Sequence, residues 1–232
     1  LNAAFSNASG APPPADSMHI KFCFATIKPN GDTNWVGRPG ITRTASSLTN
    51  HQISESEMTQ LSLIGFPPTE YFNIWVVSSI NDPNLTGTIL GYSFPPFSAP
   101  LDGVVMRSDV FGDNTPVGNN YNLRPFHDQG KVLAHETGHY LNLLHVFHAG
   151  CSGTDSSNCT ILGDRVCDTP PVAVANSGCP TINSCTNDVP DLFDQIENHL
   201  DYTDDACKTT LTVGQRERMH ATLSTVRKTL AS

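Results

Sequence analysis

The sequence predicts an α/β upper lobe followed by an irregular, disulfide-stapled lower lobe that one helix closes. Three observations carry this. Up to about residue 145, strand-length apolar runs mix with segments of helical spacing. From Cys151 to Asp205 the periodicity fades, and Cys, Pro, Asn and Asp dominate. Six of the seven cysteines crowd between Cys151 and Cys207 in that same stretch.

Taken in order, residues 1–17 are rich in Ala, Ser, Asn and Pro and read as a loosely ordered arm, leaving residues 18–232 as one domain. His19 to Ile27 alternates as a strand does. Ser54 to Ile64 places Met58, Leu61 and Ile64 at helical spacing, and Phe66-Pro67-Pro68 ends that helix. Tyr71 to Ile80 is β-rich and is the candidate central buried strand. Leu90 to Phe94, followed by Pro95 and Pro96, suits an edge strand, where proline is tolerated. Val104 to Met106 is a short apolar strand. A helix over about Gly130 to Leu141 follows, and the upper lobe (about 18–145) gives way to the lower (about 146–232). Near the end, Met219, Leu223, Val226 and Leu230 mark one face of a helix capped by Thr212, with Arg227 and Lys228 in its last turn.

Composition narrows the function. The chain has 232 residues with a net charge of −9 and no clustered Lys/Arg face, which argues against nucleic acid and anionic membrane as partners. No apolar run approaches the roughly 18 residues of a membrane-spanning helix. The six crowded cysteines favour disulfides and an oxidising, extracellular compartment over reduced cytosolic thiols, and no CxxC pair suggests a zinc ribbon. Cys23, alone in an apolar run, reads as a buried free thiol.

The chemistry concentrates in His135-Glu136-Thr137-Gly138-His139-Tyr140-Leu141-Asn142-Leu143-Leu144-His145. On a helix, His135 and His139 lie one turn apart on the same face, so both imidazoles reach one ion. A continued helix would carry His145 about 240° around and about 9 Å along from His139, so it joins them only if the chain turns back. Asn142 stands between them, and asparagine tolerates the left-handed conformation that ends helices. Three neutral imidazoles form an open zinc (Zn2+) site, and Glu136 is the candidate general base that accepts a proton from water and passes it to a leaving amine. Coincidence in a motif of this length is on the order of one in a few thousand chains.

This extended motif resembles the metzincin metallopeptidases, and its surroundings resemble their pappalysin family. The likeness runs from about residue 19 to 225, through Gly40-Ile41-Thr42-Arg43, Asn73-Ile74-Trp75-Val76, Leu90-Gly91-Tyr92, Asp102-Gly103-Val104-Val105, Gly163-Asp164 with Asp168-Thr169-Pro170, Asp201 to Cys207, and Gly214-Gln215. The resemblance implies a metzincin-like, twisted, mostly parallel sheet over an active-site helix. It also implies a secreted, monomeric enzyme that cleaves peptide bonds of proteins and is held as a zymogen by an upstream pro-segment.

It assigns further residues. Leu90, Gly91 and Tyr92 match a cleft-edge strand that pairs with an extended substrate backbone. Tyr202 matches a tyrosine that borders the zinc and donates to the reacting oxygen, though a merely packed tyrosine fits as well. Ala206 stands where arginine-preferring relatives carry an acid, leaving Asp205 or Asp204 to supply any basic preference. Asp164 and Thr169 match a calcium (Ca2+) site; caps of turns are the alternative. The implied bridges are Cys179–Cys207, Cys159–Cys185 and Cys151–Cys167, among fifteen pairings that six cysteines allow.

Two positions depart from the family pattern. Asn142 replaces a glycine, and Leu200 replaces the methionine under the metal, a near volume-conserving change expected to cost less than about 1.5 kcal/mol. The competing reading is a non-catalytic zinc-binding or adhesion module, which would not need Glu136. A zinc hydrolase of non-peptide substrates is disfavoured by the peptide-pairing edge strand.

Overall fold

The computed structural model describes residues 1–7, 17–96, 101–153 and 157–230. Its elements are helix α1 (Asn2–Phe5), strand β1 (Asn50–Gln52), helix α2 (Glu55–Ile64), strands β2 (Ile74–Val77), β3 (Ser79–Asn81), β4 (Gly91–Ser93) and β5 (Val104–Arg107), and helices α3 (Lys131–Tyr140) and α4 (Val213–Thr225). β2 and β4 flank β5, the first parallel with Ile74 opposite Val104, the second antiparallel with Gly91 opposite Met106. β1 and β3 form a separate parallel pair.

β5 is the central strand of the three, not the Tyr71–Ile80 run that the sequence put there. Both runs are apolar, and a short apolar run does not reveal how many neighbours it has. Burial does: Val104 and Met106 join the main core, Val105 joins a second core on the other face, and all three are shielded from solvent. A strand covered on both faces must be continuously apolar. Val76, in contrast, is 45% exposed.

The main core gathers Met106, Val132, Tyr140, Leu143, Leu200, Leu211 and Met219, so the sheet, α3 and α4 share one interior. Phe5 and Ala4 of α1 belong to it as well. Residues 1–7 are therefore packed and not the arm expected; residues 8–16 of that arm lie outside the described residues. Burying Phe5 contributes roughly 1.5–3 kcal/mol. The second core is built by Met58 and Leu61 of α2, with Leu48, Val77, Ile80 and Leu101.

The expected strand over His19–Ile27 does not form. At Phe22 the Asn2 side chain takes the place of a ladder: its amide donates to the Phe22 carbonyl at 2.9 Å and its oxygen accepts the Phe22 amide at 2.8 Å. Cys23 is free but exposed, because Ile20 and Phe22 turn toward the core instead.

Helix α4 begins with a capping box, Thr212 accepting from the Gln215 amide and Gln215 from the Thr212 amide. It stops at Thr225, earlier than expected, so Arg227 lies beyond its last turn. The reason is Arg227 itself. Its guanidinium sits 3.5 Å from the centre of the Tyr140 ring, its Nε donates to the Tyr140 carbonyl at 3.0 Å, and it pairs with Asp102 at 2.7 Å.

Candidate metal centre

Helix α3 starts without a side-chain cap of its own. Asp205, far along the chain, supplies one: its Oδ2 accepts from the amides of Gln129 at 3.1 Å and Lys131 at 3.3 Å. The helix ends in a Schellman turn. Asn142 has φ +74°, its amide donates to the His139 carbonyl at 2.8 Å, and the Leu143 amide reaches back to Gly138 at 2.9 Å. That reversal brings His145 against the helix it has just left.

Two carbonyls orient the helical histidines. His135 Nδ1 donates to the His199 carbonyl at 2.7 Å, and His139 Nδ1 donates to the Leu143 carbonyl at 2.9 Å. A carbonyl only accepts, so each Nδ1 carries the hydrogen and each Nε2 presents a lone pair. The three Nε2 atoms of His135, His139 and His145 lie 3.0–3.2 Å apart. Mutually facing lone pairs suit one shared cation, and among the described residues this is the only group of three or more His, Cys, Asp or Glu able to hold one. Burial holds His135 well below the usual imidazole range, lowers His139 and takes His145 to about 3, so all three are neutral, as ligation requires.

Glu136 is buried between this centre and β4. Gly91 leaves room for it: a Cβ there would fall 3.0 Å from Glu136 Cγ and 2.9 Å from Met106 Sδ. Ser93 Oγ donates to the Glu136 carbonyl at 2.7 Å. Burial pushes the Glu136 carboxyl up to about 8, while the Lys208 charge pulls it down. Beneath the helix, Leu200 is fully buried; a Cβ on Gly138 would meet its Cδ2 at 3.0 Å, so only glycine lets that floor approach so closely.

Tyr202 is half exposed, with its ring centre 4.9 Å from that of His145 and 5.6 Å from that of His135. His145 also stacks on Phe147 at 4.5 Å. Burial raises the Tyr202 hydroxyl, with the Glu136 charge adding to it, so the phenol stays protonated and able to donate.

Other expectations change. Asp205 is buried, with Oδ2 capping the α3 terminus and Oδ1 lying 3.7 Å from Nδ1 of His127. Ala206 beside it is exposed. Cys179 pairs with Cys207, but the remaining bridges are Cys151–Cys185 and Cys159–Cys167, in place of Cys159–Cys185 and Cys151–Cys167. The tight turns between Asn158 and Arg165 fold Cys159 back to within 5.0 Å (Cα to Cα) of Cys167, which leaves Cys185 for Cys151. Asp164 and Thr169 do meet, as a hydrogen-bonded turn: Thr169 Oγ1 lies 2.7 Å from Asp164 Oδ2 and 2.8 Å from the Val166 carbonyl, and Asp164 Oδ1 accepts from the Val166 amide.

Several residues that matter here gave no sequence signal. The His199 carbonyl, the buried Lys208, Arg218 and Ser93 all reach the site through tertiary contacts at separations that no local spacing encodes.

A helix with two histidines, a reversal at its end and a third histidine closing the trio define a three-histidine metal centre. Residues 66–224 match the peptidase M43 family model, described as pregnancy-associated plasma protein-A, and the chain belongs to that family. It is 39% identical over 151 residues to an extracellular metalloprotease of Pyricularia oryzae, covering 63% of this chain and 46% of the relative. With an extracellular metalloprotease of Neurospora crassa it shares 33% over 175 residues, 73% of this chain and 54% of the relative. The chain thus spans about half the length of the curated relatives it matches. Mature mirolysin of Tannerella forsythia, solved with a cleaved peptide, superposes with a TM-score of 0.75 at 29% identity, over 99% of this chain and 84% of that one. A mutant of promirolysin gives 0.71 at 29% identity, over 97% and 71%.

Proposed function

We propose that this chain is a secreted, zinc-dependent endopeptidase in which His135, His139 and His145 hold the metal and Glu136 is the general base. The observation that carries the reading is the trio of inward Nε2 atoms with a buried carboxylate on the same helix, facing a free strand edge. Zinc, when bound, makes water acidic enough to lose a proton near neutral pH and polarises a carbonyl. Glu136 takes that proton on its carboxylate and returns it to the leaving amine. Tyr202, whose ring lies beside His145, donates its hydroxyl hydrogen toward the reacting oxygen. β4 pairs with β5 on one side and with no strand on the other among the described residues, and its free edge receives an extended peptide. Export is supported by three disulfides and by relatives named as extracellular metalloproteases. None of the described helices is long and apolar enough to cross a membrane.

The solved pro-form of mirolysin supports an upstream pro-segment here. The calcium reading at Asp164 and Thr169 rests on the family resemblance and on a buried carboxylate that a divalent cation would suit. The decisive experiment digests a proteome-derived peptide library with the protein, with and without a zinc chelator, alongside Glu136→Ala. Cleavage abolished by both treatments is expected. Cleavage that survives both would sink the mechanism, and zinc binding without any cleavage would favour a non-catalytic module.

A further inference from the structure

Strand β4 is gripped from both faces. Toward α3 it presents Gly91 and Ser93, which pack against and hydrogen-bond to Glu136. Its middle residue points the other way, as strand alternation demands. There the Tyr92 hydroxyl lies 2.7 Å from Nε2 of His51, on β1, with the two rings stacked at 5.8 Å. His51 Nδ1 lies 3.1 Å from Glu57 Oε2, on α2. The same carboxylate oxygen accepts the Gln52 amide at 2.8 Å, and Ser54 caps the helix turn that carries Glu57.

The direction of each bond follows from the groups present. A carboxylate accepts, so His51 Nδ1 carries the hydrogen and Nε2 is left to accept from the tyrosine O–H. Every donor in the row has an acceptor, although His51 is completely buried. A buried imidazole without those partners would be costly, which makes this row a built feature rather than an accident of packing.

β4 has a register to protect. Only three residue pairs join it to β5, and a slip of one residue would turn Tyr92 into the space held by Glu136. We infer that the Tyr92–His51–Glu57 row fixes the register of β4, making His51 a positioning residue that sets where an extended substrate backbone lies over the metal. This rests on the endopeptidase reading above. His51 touches neither substrate nor metal; it acts through Tyr92.

The test compares two peptides that share one scissile bond, one of about ten residues that can lie along β4 and one of about four that barely reaches it. Tyr92→Phe keeps the ring and removes the hydroxyl. For the longer peptide its KM is expected to rise about tenfold, with kcat within about twofold and zinc content unchanged. The KM of the shorter peptide should hardly move. His51→Leu should behave alike and add little to Tyr92→Phe in the double variant, whereas His51→Gln, whose amide can still meet the tyrosine hydroxyl, should recover most of the loss. Equal KM for wild type and Tyr92→Phe on the longer peptide, or equal losses on both peptides, would overturn the inference even if His51→Leu fails to fold. A wild type that cleaves neither peptide defeats the endopeptidase reading itself, and this inference with it.

Discussion

Nε of Arg218 donates to the carbonyl of Asn142 at 2.6 Å, so helix α4 clasps the very turn that delivers His145. The turn exposes that carbonyl because Asn142 is left-handed and its amide faces back into α3. Arg218→Met keeps the aliphatic stem and deletes the donor. Zinc affinity should fall on the order of tenfold, measured by competition with a chromogenic chelator, while the far-ultraviolet circular dichroism stays the same. Unaltered affinity would mean that the Schellman turn stands without help.

Asn142 offers a pair of opposite outcomes. Glycine reaches φ +74° without a side-chain clash, so Asn142→Gly should keep one zinc per chain. A β-branched residue pays the left-handed penalty of about 1–2 kcal/mol or escapes it by opening the turn. Asn142→Val is therefore expected to lose zinc and lower the Tm. Metal analysis and a melting curve on each variant decide the matter.

Asp205 is a cap, and removing it should be felt as stability. Asp205→Ala strips the acceptor from the Gln129 and Lys131 amides and should cost roughly 1–2 kcal/mol in urea unfolding. The ratio of cleavage rates for peptides with arginine or leucine after the scissile bond should not change. A selective loss of the arginine peptide would place Asp205 in the substrate pocket as well.

Asp164 titrates unusually. Burial pushes its carboxyl up to about 7, against an ordinary 3.8, with the Thr169 hydroxyl pulling the other way. One Thr169 hydrogen cannot serve both Asp164 and the Val166 carbonyl, but a protonated Asp164 donating to Thr169 Oγ1 satisfies all three. Because the folded pKa is the higher, the folded state binds the extra proton. Its stabilising effect is complete below the ordinary carboxylate range and is lost as pH climbs through about 7. Asp164→Asn, which donates at any pH, should flatten that part of the Tm profile in the presence of a calcium chelator. An identical profile for wild type and variant would show that the Asp164 carboxyl titrates alike in the folded and unfolded chain.

Tyr202→Phe keeps the ring beside His145 and removes only the hydroxyl. Turnover should fall on the order of a hundredfold, as when one donor to a developing oxyanion is lost, with zinc affinity and Tm held. An unchanged rate would leave Tyr202 as a packed ring.

How much was legible depended on the range of the interaction. The histidine trio, the Asn142 reversal and the cap at Thr212 could be read because each is settled within a few residues. What could not be read was settled across the chain. The Asn2 side chain satisfies Phe22 in place of a strand partner, and the rank of β5 over β2 emerges only when both cores are assembled. Arg227 leaves its helix for Tyr140 and Asp102, which no periodicity announces. The bridges of Cys151 and Cys159 followed the local turn at Asn158, a signal weaker than the resemblance that suggested otherwise.

The leucine pressed against Gly138 also changes what kind of damage the centre can suffer. A thioether beneath a metal is open to peroxide, which converts it to a polar sulfoxide and disrupts the packing around it. Leu200 is a hydrocarbon sealed from solvent, with no sulfur to attack. At that position, the base of the centre is inert to oxidants by composition.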